Sequence, residues 1–319
     1  MDKAILKLTV FFIFLFITSL SVGRLLFPPW HANALDRTII TYVRLPRVAA
    51  ASLTGAALGL AGVALQNIFR NYLAGPGILG VTSGSAFGAV LAILLLPPNP
   101  AAVQLTAFVF GLMAMLLAYY LARLAGGGIL ALILAGIVTS ALFSACVGMV
   151  KYMADPYNKL PAMVYWLLGS FAGTKWSDLA PAVPPLLIGV VTLLLLRWVL
   201  NVLSLGDDEA VALGVNVGLF RALTIVAATL ATSASTSLAG MIAWVGVVSP
   251  HIARLLVGYD NRRLVPASAL VGATLLLFCD DLARTLSAAE LPLSVMTNFV
   301  GAPILFAILV RRRACLAGS

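Results

Sequence analysis

The sequence predicts an all-α protein that crosses a membrane about ten times, and three observations carry that prediction. The 319 residues are 62% hydrophobic and only 10% charged, with mean hydropathy +1.07, which leaves too little polar surface for an ordinary soluble domain. Apolar runs near the roughly 20 residues that a helix needs to span hydrocarbon recur along the whole chain. Turn chemistry separates them, at Gly75-Pro76-Gly77, Pro97-Pro98-Asn99-Pro100, Gly126-Gly127-Gly128 and Leu291-Pro292.

The first run, Leu8–Phe27, follows Lys3 and Lys7 and has the outline of a signal peptide, but the many apolar runs after it favour a retained helix. Val48–Phe69, Val81–Leu96, Val103–Leu124, Ile129–Tyr152 and Ala182–Leu203 follow. After a polar stretch come Ala222–Tyr259, Leu264–Ala288 and Ser294–Val310. Small residues at four-residue spacing, Ala51, Gly55 and Gly59 and then Gly80, Gly84 and Gly88, suit close helix packing.

The net charge of +9 comes from 20 Lys and Arg scattered at the ends of apolar runs, so it serves topology and excludes a nucleic-acid surface. With the N-terminus cytoplasmic, Lys3, Lys7, Arg70, Arg123, Arg197, Arg221, Arg254, Arg262, Arg263 and Arg311 to Arg313 fall inside, 12 of the 20. Arg221 and Arg262-Arg263 then share a side, so the 38 residues Ala222–Tyr259 cross twice. One crossing must be short or broken, and Gly240, Gly246 and Pro250 mark where irregular backbone is tolerated. Both termini are expected in the cytoplasm.

The polar stretch Leu205 to Arg221 places Asp207, Asp208 and Glu209 at the start of a short helix, where acids favour its dipole. Ala210, Leu213 and Val217 give it a small apolar face between Gly206 and Gly214. It reads either as a knob offered to a partner or as a solvated connector. Cys146, Cys279 and Cys315 lack CxxC or metal-like spacing, so neither a disulfide framework, a metal site nor a cofactor is expected.

Taken together, the motifs resemble those of the FecCD family, the ABC importer permeases for iron–siderophores, haem and cobalamin. The match includes Arg44-Leu-Pro-Arg47, Gly55-Ala-Ala-Leu-Gly-Leu-Ala-Gly62 leading to Gln66, Arg70-Asn71, Leu73-Ala74, Pro76 and Leu79-Gly80. It continues through Trp166-Leu-Leu-Gly-Ser170, Leu205-Gly206, Leu213-Gly-Val215, Gly246, Pro250-His-Ile-Ala-Arg254, Asp280 with Arg284, Glu290-Leu-Pro292 and Gly301-Ala-Pro303. Four positions depart from the family's pattern: Tyr72 for its usual proline, Asp281 for an apolar residue, Ser294 for glycine and Trp244 for phenylalanine.

The resemblance implies one permease domain with the type II ABC importer fold, ten helices in the cell membrane, and a homodimer with the pathway on its axis. It also implies two separate ATP-binding cassette subunits below and an extracytoplasmic substrate-binding protein above. No Gly-Lys dipeptide occurs, so the chain has no GxxxxGK[ST] phosphate loop and is not itself the ATPase. An ion-coupled secondary carrier is the competing class, although only the cluster of Asp280, Asp281 and Arg284 offers the ionisable groups it needs.

Candidate residues follow. The segment Leu205 to Gly218 is expected to couple to the ATPase through Gly206, Glu209, Ala210, Leu213, Gly214 and Val215. Arg44, Arg47 and Arg284 match the family's receptors for acids on the binding protein, with interfacial snorkelling as the plainer alternative for the first two. Asp280 and Arg284, four apart on one helix, are expected to pair, leaving Asp281 without an obvious partner. His251 lacks companions for catalysis or metal binding and is expected to bond a helix terminus. A Ser83 or Ser85 protease site with His251 lacks the Gly-x-Ser-Gly spacing.

The helix from Ile129, which the resemblance places along the pathway, has Gly127, Gly128, Ile129 and Leu130 as its expected gate. Thr139 and Ser140, with Ser144 and Cys146, are its weakly polar lining. Such a lining offers passage with little affinity. The expected cargo is a bulky metal chelate, with the family's molybdate or tungstate branch as the alternative.

Overall fold

The structure, a computed structural model, describes residues 3–22, 34–287 and 289–317, and within these the chain is helical with no strand. Seven helical spans are long and apolar enough to cross a bilayer, and three shorter apolar helices, Val81–Leu95, Val245–Val257 and Leu293–Ile308, bring the described set to the expected ten.

Helix α1 (Lys3–Ser21) lies on the outside of the bundle. α2 (Ala34–Ile39) runs through a π-helical turn, Ile40–Arg44, into α3 (Leu45–Ile68). α3 is buried along most of its length and forms the axis of the fold. Its glycines explain why. Gly55 faces the backbone of Gly272, Gly59 that of Ser268, and Gly62 that of Gly246, so close that a Cβ at any of them would strike a carbonyl oxygen. Close approach of backbones replaces the hydrophobic force that lipid does not supply.

A short 3-10 turn, Pro76–Leu79, leads through Gly80 (φ 79°) into α4 (Val81–Leu95). There Gly84 and Gly88 press on Phe110 and Thr106 of α5 (Pro100–Leu124). Asn99 caps α5 by accepting from the Ala101 and Ala102 amides. α6 (Gly128–Met153) follows three consecutive glycines with φ of 90°, 76° and 87°. Such a run is accessible only without a Cβ.

After α7 (Lys159–Leu168) the expected single run Ala182–Leu203 resolves into two helices, α8 (Trp176–Leu195) and α9 (Arg197–Leu205). α8 starts before the expected run, at Trp176, and carries Pro181, Pro184 and Pro185 inside it. Beyond Leu196, α9 buries Leu200, Val202 and Leu203 and exposes Trp198 and Leu205, so it is an amphipathic helix and not the end of a span.

α10 (Asp207–Ala212) leads into α11 (Val217–Ala239), capped by Asn216. The expected break falls at 240–244, between Gly240 (φ 74°) and Trp244 (φ 67°), before the short α12 (Val245–Val257). Gly246 and Pro250 lie inside α12; the first is small because a Cβ there would strike Pro76. α13 (Asn261–Thr285) and α14 (Leu293–Ala317) complete the bundle. The part of the first apolar run beyond Val22, residue Ala288 and the side chains of Arg311 to Arg313 lie outside what is described.

Candidate functional site: two polar ends and the face between them

Polar side chains gather at the two ends of the bundle. At one end, the Asp207 carboxylate accepts hydrogen bonds from Arg70 (2.7 Å) and Arg221 (2.8 and 2.9 Å). The bond from Arg221, and then the charge of both guanidinium groups, holds this carboxyl below the usual carboxylate range. Nearby, Asn201 donates to Asp260 (2.7 Å) and accepts from the Asn261 amide (2.8 Å), while Asn67 and Asn261 exchange bonds of 3.0 and 3.1 Å. These bonds tie α9 and α10 to the ends of α3, α11 and α13.

Within that clamp α10 sits on a small core of its own. Ala210, Val215 and Val217 pack with Val202 and Leu203 of α9. Gly206 (φ 154°) makes the turn into α10, and a Cβ there would meet the Glu209 carboxylate. Gly214 (φ 78°) closes α10, with the Gly214 amide donating to Val211 and the Val215 amide to Ala210. At 100° per residue, a six-residue helix that buries Ala210 turns its neighbours outward. Glu209, Val211 and Leu213 are exposed, the last two by 64% and 60%. Of the expected coupling residues, Glu209, Leu213 and Gly214 therefore form the outer surface, while Gly206, Ala210 and Val215 hold it up. Val211 is the exposed apolar residue that sequence reading missed, and the phase of Ala210 is the signal that would have found it.

At the other end the three candidate arginines come together but are already engaged. The Arg44 guanidinium donates to the Leu20 and Ser21 carbonyls at the end of α1 (2.8 and 3.0 Å). Arg47 forks onto Asp280 (2.8 and 2.9 Å) and also donates to Glu290 (2.9 and 3.0 Å). Arg284 pairs with Asp281 and donates to the Ser19 carbonyl (2.7 Å), while the Ser19 hydroxyl donates to Asp281. The expected Asp280–Arg284 pair is thus corrected. Asp280 turns to Arg47 on α3, and Asp281, expected to lack a partner, takes Arg284 one turn on. All three arginines are buried, at 7%, 9% and 5% exposed for Arg44, Arg47 and Arg284.

Between the ends, α6 presents two faces. Gly136 meets the Ile78 carbonyl and Thr139 fills the space beside Gly80, so this face packs on the 3-10 turn. Thr139 is fully buried there and points away from the open side; Ser140 is half-buried. The opposite face exposes Leu130, Leu134, Ile137, Val138, Ala141, Leu142, Ser144, Ala145, Gly148 and Met149. At its start Gly127 and Gly128 are exposed with open space around them, Ile129 is half-buried and Leu130 is 70% exposed.

His251 lies inside α12, where its Nε2 donates to the Tyr72 carbonyl (2.9 Å) and its ring packs edge-on against Tyr72. That bond commits Nε2 to a carbonyl and not to a serine. Among the described residues no group of His, Cys, Asp and Glu is arranged to hold a metal ion.

The profile of the FecCD transport family matches residues 10–311. The molybdate import system permease protein MolB of Haemophilus influenzae is 42% identical over 293 residues, covering 91% of this chain and 86% of the relative. A Helicobacter pylori permease protein named for iron chelatin transport is 39% identical, covering 86% and 83%. A solved metal-chelate type ABC transporter in an inward-facing conformation superposes with a TM-score of 0.92 at 39% identity, covering 97% of this chain and 99% of the other.

Proposed function

This chain belongs to the FecCD transport family and is a multi-pass ABC importer permease; from that premise we propose that two copies enclose the pathway for a metal-bearing solute, with ATP hydrolysed by separate subunits. The observation that carries the coupling half of this reading is the α10 platform. It is a short helix with its own core, clamped by Arg70, Asp207 and Arg221, that leaves Glu209, Val211 and Leu213 facing outward. A rigid knob with an apolar tip and an acid beside it suits docking to an ATPase, since a mobile loop would dissipate the stroke. The end bearing α10 is taken as cytoplasmic.

The opposite end is proposed to receive the binding protein around Arg44, Arg47 and Arg284. Because the chain's own acids and carbonyls hold these groups, docking through them exchanges internal bonds for external ones. The open face of α6, apolar and studded with small residues, is proposed to meet the second copy and the solute, and the exposed glycines before Leu130 to form its gate. The cargo is proposed to be a metal chelate, as the names of the iron chelatin relative and of the solved transporter suggest. A second reading, molybdate, is favoured by the 42% identity to the Haemophilus permease.

Glu209→Lys and Leu213→Asp test the coupling surface. Each is expected to leave the permease folded and to reduce transport-coupled ATP hydrolysis by roughly tenfold or more, the loss of one well-placed contact. Wild-type assembly and coupling in both variants would remove α10 from the mechanism. Uptake of labelled ferric chelate, haem, cobalamin and molybdate by the reconstituted complex separates the cargo readings, and uptake of molybdate alone overturns the chelate.

A further inference from the structure

A cavity of about 610 Å³ opens between the outer part of α6, α7, the start of α12 and the first turn of α14. Its walls are mostly apolar, but Lys151, Thr82 and Ser294 contribute polar side chains. Lys151 is the only charged residue among its described lining residues, and no carboxylate stands there to neutralise it. Lys151 is half-buried near the end of α6, and it makes no ion pair or hydrogen bond among the described residues. That sets it apart from Arg44, Arg47, Arg70, Arg221 and Arg284, each of which is held by acids or carbonyls.

Two further features add to the same field. The N-terminal turn of α12 borders the cavity through Trp244, Gly246 and Val247, bringing the positive end of a 13-residue helix. The amides of Val245, Val247 and Val248 already donate to the carbonyls of Ala243 and Trp244, so the turn supplies potential more than free donors. Two of the four departures from the family's pattern, Trp244 and Ser294, also fall in this lining. Ser294 adds a hydroxyl to this otherwise apolar stretch of the wall.

We propose that this cavity is a transient binding site for an anion that presents oxygen atoms, held by the Lys151 ammonium with the Ser294 and Thr82 hydroxyls at its rim. The proposal rests on the permease reading and sharpens it, because it selects among cargoes by charge. A tetrahedral oxyanion and an anionic carboxylate or catecholate chelate share this chemistry; a neutral corrinoid or neutral hydroxamate chelate does not. An uncompensated lysine in a partly desolvated cavity favours anions strongly, yet a single ammonium in an otherwise apolar lining lets them go, as passage requires.

The test uses Lys151→Gln and Lys151→Arg in the complete complex with its ATPase and binding protein in proteoliposomes. The probes are labelled molybdate, a ferric tris-catecholate, a neutral ferric trihydroxamate and cyanocobalamin. The proposal expects an anionic probe to be imported, Lys151→Gln to slow it by roughly tenfold, and Lys151→Arg to restore it. ATP hydrolysis without substrate should stay unchanged in both. Wild-type import of a neutral probe alone would overturn the anion site while leaving the permease reading intact, as would equal loss in both variants or no loss in Lys151→Gln. A second measurement does not depend on transport: equilibrium dialysis of the purified chain against molybdate and against the tris-catecholate. Retention of one of them by wild type and not by Lys151→Gln is the expected result, and absence of any Lys151-dependent retention overturns the proposal. Failure of ATP-driven uptake for every probe, with that retention present, would instead count against the permease reading.

Discussion

Replacing Arg47 by alanine should unfold the protein more readily before it does anything to docking. The Arg47 guanidinium sends two nitrogens to Asp280, at 2.8 and 2.9 Å, and a third to Glu290. Asp280 is only 1% exposed, so removing Arg47 strands a carboxylate in the helix core. Breaking a buried pair from one side costs about 3–5 kcal/mol. Glu290 is 25% exposed, and Glu290→Gln should cost only about 1 kcal/mol because Arg47 keeps Asp280. Arg47→Leu combined with Asp280→Leu should recover most of the loss, since apolar replacement of both partners leaves no orphan charge. Unfolding titrations in mixed micelles measure the three variants, and buried ions make the ranking insensitive to salt. If Arg47→Ala unfolds within about 1 kcal/mol of wild type, the pair is not structural. A salt-dependent loss of binding-protein affinity in a variant of unchanged stability would then return Arg47 to the docking surface.

Two other outcomes follow from the geometry. Gly272→Ala puts a methyl against the Gly55 carbonyl and 3.3 Å from the Gly59 Cα, so it should force α3 and α13 apart and cost about 1–3 kcal/mol in the same titration. The Asp207 carboxyl lies below its ordinary value because Arg221, and then Arg70, stabilise the charged form. Its contribution is therefore fully present above the unfolded value of about 3.9 and is lost as pH falls through the lowered folded value. Amide-exchange protection of α10, corrected for intrinsic rates, should be flat from pH 7 to about 4 and decline below; Asp207→Asn should lower it already at pH 7.

The span count was legible because bilayer thickness fixes helix length, and hydropathy reads length directly. The close-packing glycines were legible too, since Gly55, Gly59, Gly84 and Gly88 each meet another backbone or a neighbouring helix as their spacing suggested. Orientation was less so. α6 is apolar nearly all round, so no amphipathic stripe announces that Thr139 faces the turn at Gly80 while Leu142 and Met149 face outward. Ion-pair choice was illegible for a related reason. Asp280 and Asp281 differ by 100° of rotation, and whether Arg284 meets one or the other depends on where α3 brings Arg47.

The positions expected to depart from the family's pattern are held by specific neighbours. Asp281 faces Ser19 and Arg284. Tyr72 lies under the Arg254 guanidinium at 4.5 Å and accepts from His251 through its carbonyl. Trp244, held at φ 67°, donates its indole N–H to Asn298. Each unusual residue thus stands beside a group that uses it, and reverting one alone would leave its neighbour with less. Asp281→Leu, for example, would leave Arg284, 5% exposed, with a backbone carbonyl as its remaining acceptor in place of a carboxylate. Such positions carry more information than the motifs do. A residue packed against a matching partner reports a local solution, and Ser294, which lines one cavity with a Lys151 that makes no ion pair among the described residues, is the case where the side chain faces open space.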